Sequence, residues 1–305
     1  MTFSAKVRLI TVFFLLLAPA VAQTQPAATY VGSEVCQTCH EDTYNAFFKT
    51  NPHRLAQTDA KYHAAGHVCE ACHGPGSKHV ESLNAADIRN PAKLKPAETD
   101  RVCLTCHLNQ PTQVGRIHSS HMRNQVSCVA CHTMHGHGAE GLVPRRSADI
   151  NTLCARCHAD VWASFLQPYH HRLPEGAMSC VDCHNPHGSF LPHMIQTVNA
   201  NEPGCFKCHG DLRGPFPFEH PPMRVEGCVA CHQPHGSANP RMLTRAQVRF
   251  VCLECHSNLP VPMPANKTLG TVPPAFHDLR DPRFQQCTIC HQQVHGSYAS
   301  RDFLR

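Results

Sequence analysis

The chain has 305 residues, of which 20 are cysteine, 26 histidine and 25 proline, and it carries a formal charge of +5. The hydrophobic fraction of 42% overstates the aliphatic core, because cysteine supplies twenty of those residues while Trp occurs once and Tyr five times. Two of the cations, Lys6 and Arg8, fall in a leader whose removal leaves +3, and no basic stripe with interleaved aromatics occurs, so nucleic-acid binding is excluded.

The first 22 residues read as a secretory signal peptide. Lys6 and Arg8 form its basic region, Leu9 to Ala18 its apolar run, and Ala20-Val21-Ala22 its small-residue cleavage site, so the mature chain is expected to start at Gln23. The apolar run is short of the ~20 residues a spanning helix needs, and no later stretch reaches that length. The mature chain is expected to be one elongated domain, residues 23–305.

All twenty cysteines then fall into ten copies of Cys-x-x-Cys-His. In chain order these are Cys36, Cys39 and His40; Cys69, Cys72 and His73; Cys103, Cys106 and His107; Cys128, Cys131 and His132; Cys154, Cys157 and His158. They continue with Cys180, Cys183 and His184; Cys205, Cys208 and His209; Cys228, Cys231 and His232; Cys252, Cys255 and His256; Cys287, Cys290 and His291. This pentapeptide is the attachment signature of c-type haem: two thiols add across two porphyrin vinyl groups while the adjacent imidazole ligates the iron. Zinc and disulfide readings explain paired cysteines but demand no histidine after every second one. Ten such coincidences at this histidine content have a probability on the order of 10⁻¹¹. A thioredoxin-type Cys-x-x-Cys would occur once, beside a βαβ pattern that is absent here.

The motifs form five pairs. First cysteines of the odd motifs are 67, 51, 51 and 47 residues apart, and neighbouring motifs 23 to 35, which leaves no room for a globular domain between haems. Short helices are expected just after odd motifs, over Asp42–Lys49 and Ala159–Phe165, with aromatics such as Trp162 packed on porphyrin faces. Leu83–Asp100 and the proline-rich Leu259–Pro274 read as longer connectors, the second extended or polyproline-like. Frequent prolines and glycines preclude long helices and a continuous sheet. The expected fold is a multihaem cytochrome c, mostly irregular with short α-helices wrapped around an elongated chain of ten haems and little or no β. Two propionates per haem against one net positive charge on ferric haem iron make the loaded protein acidic.

Bis-histidine ligation needs ten further histidines. One candidate lies between the motifs of each pair: His53, His121, His171, His220 and His277. Another follows the second motif: His79, His135, His187, His235 and His295. A histidine three or four residues past the proximal one cannot easily reach the far face of its own haem, and is better placed to ligate a neighbouring one. His118 competes with His121 and His170 with His171; the offsets in the other pairs favour His121 and His171. His63, His67, His118, His137, His170 and His193 remain for solvent or propionate contacts. Methionine, which would raise the potential, recurs at no fixed offset in every pair.

The residues resemble the periplasmic decahaem c-type cytochromes of the MtrA/DmsE family, over essentially the whole mature chain. The resemblance rests on the ten motifs and on Cys36-Gln-Thr-Cys-His-Glu-Asp-Thr-Tyr-Asn-Ala-Phe, Cys69-Glu-Ala-Cys-His-Gly-Pro-Gly-Ser-Lys-His-Val, Asn90-Pro-Ala-Lys-Leu, and His171-Arg-Leu-Pro-Glu-Gly-Ala-Met-Ser-Cys180. It extends to Phe276-His-Asp-Leu-Arg-Asp-Pro-Arg-Phe-Gln-Gln-Cys287 and Val294-His-Gly-Ser297. It implies electron transfer through bis-histidine haem c and residence in the periplasm. It further implies an outer-membrane β-barrel porin around the cytochrome, an extracellular multihaem cytochrome or reductase as one partner, and a periplasmic or inner-membrane electron donor as another. A soluble periplasmic shuttle and a subunit of a haem filament demand the same haem chemistry. A multihaem oxidoreductase would need an open iron position and usually one aberrant motif; all ten motifs here end in His.

Overall fold

The computed structural model describes residues 27–135, 146–199, 202–256, 259–260, 268–269 and 281–304. The leader, His137, His277 and most of 259–274 lie outside them.

Helices are short, as the proline and glycine content dictates. The longest among the described residues is Pro96–His107. Pro96 opens it where an N–H would have no partner, and Glu98 reaches back to accept from the Lys95 N–H at 3.2 Å. The connector expected over Leu83–Asp100 therefore ends earlier than the sequence suggests, since Pro96–Asp100 begin this helix. The rest of it contains single 3₁₀ turns at Ala85–Asp87 and Pro91–Lys93, each started by an asparagine whose side chain accepts from the N–H two residues on. Helices follow the first and fifth motifs at Glu41–Thr50 and Ala159–Ser164. Extended structure in 259–274 is seen where Leu259–Pro260 pairs antiparallel with Thr268–Leu269. The remaining β structure among the described residues is five isolated bridges.

Each attachment motif is one tight turn. The histidine N–H donates to the carbonyl of the first cysteine, for example His40 to Cys36 at 2.9 Å, His158 to Cys154 at 3.0 Å and His291 to Cys287 at 2.9 Å. Residues i and i+3 of such a turn share a face, so both thiols of a motif project to one side.

The burial pattern is inverted for a protein of this size. Fully buried apolar residues among those described are only Ala64, Val68, Phe165 and Leu173. Buried polar residues are more numerous and include Ser33, Asn51, Glu70, Thr99, Asp100 and Asn151, while Val225, Ile117 and Ile289 stand mostly exposed. A chain that buries its polar groups and exposes its apolar ones has its apolar core supplied by something other than side chains.

The buried polar groups tie the two turns of a pair together. The residue three positions before an odd motif accepts from the N–H of the first cysteine of the following even motif. Ser33 Oγ does so from Cys69 at 3.3 Å, Asp100 Oδ1 from Cys128 at 3.0 Å, and Asn151 Oδ1 from Cys180 at 3.0 Å. Asn151 also donates to the carbonyls of Leu173 and Met178. Asn151→Ala strands these buried backbone groups and is expected to cost about 1–3 kcal/mol. Thermal unfolding of the holoprotein checks this, with the Tm falling while the haem count stays constant.

Candidate haem sites

Neighbouring turns touch in sequence order. Within each pair the thiols of the first cysteines are close neighbours that shift one another: Cys36 and Cys69, Cys103 and Cys128, Cys154 and Cys180, Cys205 and Cys228, and Cys252 and Cys287. In the unalkylated chain each pair has one thiol lowered by its neighbour and the other raised by that neighbour and by burial. Between pairs, the second cysteine of each of the first four even motifs lies within electrostatic reach of the next odd motif. Cys72 senses Cys103, Cys131 senses Cys154, Cys183 senses Cys205, and Cys231 senses Cys255. The ten attachment turns thus run as one row in chain order.

The histidines come together in pairs across that row, some with parallel rings and some with crossed ones. Two imidazoles on opposite sides of one metal, at bonds of ~2 Å, place their ring centroids about 6 Å apart. His40 faces His79 at 6.3 Å with the rings 19° apart, His73 faces His135 at 5.7 Å and 8°, and His132 faces His187 at 6.1 Å and 25°. His158 faces His121 at 6.0 Å, His184 faces His235 at 6.0 Å, and His209 faces His171 at 6.3 Å. His256 faces His220 at 6.3 Å and 17°, and His232 faces His295 at 6.3 Å and 19°. His107 and His53 are closer, at 5.4 Å, with Nε2 atoms 3.1 Å apart, so a shared metal requires this pair to open by about 1 Å. Of the expected distal set only His277 is not placed. His291, whose Nδ1 donates to the Asp302 carbonyl at 2.5 Å, is the remaining motif histidine.

The direction of pairing follows one rule. A histidine lying between the motifs of one pair faces the odd motif of the next pair, and a histidine trailing one pair faces the even motif of the pair before. Backbone bonds explain why. His121 Nδ1 donates to the Pro186 carbonyl at 3.0 Å and His171 Nδ1 to Pro234 at 2.7 Å, while His220 bonds the Val294 backbone. Each acceptor is the residue before a trailing histidine of the following pair. His53 reaches the equivalent place through Asn51, whose Oδ1 accepts from His53 Nδ1 and whose Nδ2 donates to Met134 O at 2.6 Å. Antiparallel bridges between Tyr169 and Ser237, and between Phe218 and Ser297, lock the same segments together. His79, in the first pair, has no preceding pair and faces His40 of its own.

These bonds also fix the imidazole tautomer. A carbonyl only accepts, so the proton sits on Nδ1 and the Nε2 lone pair is left for a metal. The motif histidines His73, His184 and His232 are held the same way by the carbonyls of Arg89, His193 and Arg241. Burial pushes His53, His73, His184, His187, His220, His235 and His295 below the ordinary imidazole value, which keeps them neutral and able to ligate. A lowered value means the unfolded chain binds protons first, so stability is fully present above pH 6.5 and declines as pH falls below it. His187 Nδ1 alone among these ring nitrogens is buried with no partner.

The histidines outside the expected ligand set are elsewhere. His67 packs on Tyr30 and His118 on Phe190, and His170 pairs with Glu175 at 3.0 Å. The Trp162 ring lies 6.3 Å from that of Phe165. Sequence reasoning passed over Asn51, Asp100 and Asn151, which position the turns. Their signal is a polar residue at a constant offset, three before an odd motif for Asp100 and Asn151.

Paired thiols on one face of a turn, tautomer-fixed imidazoles facing at iron-ligand spacing and an apolar core missing from the side chains fit covalently bound haem c. The molecule is a multihaem c-type cytochrome, an electron-transfer protein. A model of the doubled Cys-x-x-Cys-His motif matches residues 120–162, 170–214 and 220–260. The chain is 34% identical over 271 residues to the Multiheme cytochrome MtrA of Shewanella baltica, covering 87% of this chain and 78% of that protein. It is also 30% identical over 97 residues to the Cytochrome c-type protein NrfB of Escherichia coli, covering 30% of this chain and 50% of that protein. The chain belongs to the MtrA family of multihaem cytochromes.

Proposed function

We propose that the mature chain, residues 23–305, is a single row of ten haems and conducts electrons between the periplasm and the cell exterior as the cytochrome core of an outer-membrane porin–cytochrome complex. The facing histidine pairs along turns in sequence order carry this reading. Each haem is attached through the two cysteines of its motif and ligated by the motif histidine and the partner that faces it, with His277 serving His291. Haem c supplies a one-electron ferric/ferrous couple at each position. The chain's own part is to hold both axial nitrogens in place, so no iron offers an open position for substrate, and to keep successive cofactors in contact.

No helix among the described residues is long and apolar enough to cross a membrane. In this reading a barrel partner sheathes the polar cytochrome, and the two ends of the row meet different redox partners, a periplasmic or inner-membrane donor and an extracellular cytochrome or reductase. Denaturing mass spectrometry is expected to give one species with ten haems and no free thiol; fewer haems with bound zinc would reject the cofactor assignment. Liposomes enclosing a reducible dye test the complex. Electrons are expected to cross only with cytochrome and barrel both present, and a cytochrome that stays monomeric and binds no barrel is instead a periplasmic shuttle.

A further inference from the structure

Fixed charges beside the attachment turns are distributed unevenly along the row. In the first pair Glu70, inside the second motif, is 1% exposed. Its carboxylate accepts from three backbone groups, Val31 N–H at 3.0 Å, Gly32 N–H at 2.9 Å and Gly76 N–H at 2.7 Å. Among the described residues no cation pairs with it, and its field reaches the first cysteines of both motifs, Cys36 and Cys69. The nearby Arg89 donates to the carbonyls of Ala71 and Cys72 from an exposed position, and its field reaches Cys72 and His73, so it offsets part of the Glu70 field at the second motif.

In the second pair Asp100, 7% exposed, puts Oδ1 3.0 Å from the Cys128 N–H and 3.1 Å from Cys128 Sγ. Arg116 binds its other oxygen at 3.0 Å, with a side chain more exposed than that of Asp100, so part of the negative field survives at the sulfur. The third pair has neutral Asn151 in that place. In the fourth, Glu202 turns to an exposed pair with Arg213. In the fifth the position holds Arg249. Its guanidinium donates to Gln285 beside the tenth motif, its Nε is buried without a partner, and no carboxylate pairs with it among the described residues.

We propose that Glu70, with a smaller contribution from Asp100, and Arg249 polarise the row, holding the N-terminal haems at lower potential than the C-terminal pair. The inference rests on the haem attachment proposed above. A ferric haem iron carries one more positive charge than a ferrous one. A buried carboxylate beside it therefore favours the oxidised form, and the half-buried Arg249 guanidinium favours the reduced form, in surroundings that screen less than bulk water. One electron added converts ferric to ferrous with no bond made or broken, so the gradient biases electrons toward the C-terminal end of the row.

Spectroelectrochemical titration of the full holoprotein tests this. Glu70→Gln is expected to raise the low-potential edge of the reduction curve by about tenfold in the equilibrium constant of the affected haems, about 59 mV for a one-electron couple. Asp100→Asn, which installs the residue native to the next pair, should shift it the same way and less. Arg249→Gln should lower the high-potential edge, and Arg249→Lys should leave it in place. Both shifts should persist at high salt, which would erase those of surface charges. Unchanged edges, or edges moving the same way in Glu70→Gln and Arg249→Gln with ten haems retained, overturn the proposal. Should Glu70→Gln lose haem, Asp100→Asn and Arg249→Gln decide it alone. A wild-type protein without ten haems would instead defeat the attachment reading.

Discussion

Replacing His187 by alanine is expected to leave nine haems low-spin and turn one high-spin, and the altered haem is the one attached at Cys128 and Cys131. His187 stands three residues after His184, yet its ring lies 6.1 Å from His132 and nearly parallel to it. His184 is instead faced by His235, from the next pair along the chain. The iron that loses a ligand should therefore belong to the fourth motif and not to the sixth. Electron paramagnetic resonance or near-infrared magnetic circular dichroism counts the high-spin centre. The assignment is checked in a Cys128→Ser/Cys131→Ser background, which attaches nine haems. Adding His187→Ala there should create no high-spin centre, whereas a new one would place the lost ligand on another haem.

Much of this architecture is legible in the residues. The pentapeptide fixes where haem attaches, because thioether chemistry tolerates little variation in spacing. Proline frequency fixes the shortness of the helices, and the scarcity of aliphatic residues implies a core supplied by porphyrin. Porphyrin sterics likewise suggest that trailing histidines serve neighbours. Which neighbour they face was not legible, since it depends on contacts between segments some 63 to 83 residues apart, such as His171 with Pro234 and Asn51 with Met134. Those contacts are made largely by backbone carbonyls, which any residue supplies. Between His118 and His121 the offsets in the other pairs point to His121, and the contacts agree in placement: His121 is held by the Pro186 carbonyl while His118 packs on Phe190. The helix start at Pro96 was hidden by reading a proline as a breaker, when at a first helical position it is a starter.

The His-Gly-Ser sequence that follows several trailing histidines does leave a trace of the interlock, and it supports a second large effect. Gly236, directly after His235, has φ +146°, and a Cβ there would stand 2.1 Å from the carbonyl oxygen of Ser164. The obstacle is backbone, so a small side-chain adjustment cannot relieve it. Gly188 and Gly296, after His187 and His295, share the positive φ and meet equally close neighbours. Gly236→Ala is expected to cost about 3 kcal/mol or more, from overpacking added to left-handed strain. The displacement falls on the bridge between Tyr169 and Ser237 and on the His235 ring. The sixth haem should therefore lose six-coordination, and the seventh, served by His171 on the partner segment, should loosen with it. Gly176→Ala is the matched control: its φ is +76° but nothing lies within 4 Å of the added carbon, so only backbone strain of about 1 kcal/mol applies. Thermal unfolding combined with spin-state spectroscopy separates the two. If both variants fell in Tm by similar amounts and both stayed fully low-spin, the close approach at Gly236 would not hold His235 on its iron, and the interlock between successive pairs would have to be carried by the side-chain bonds alone.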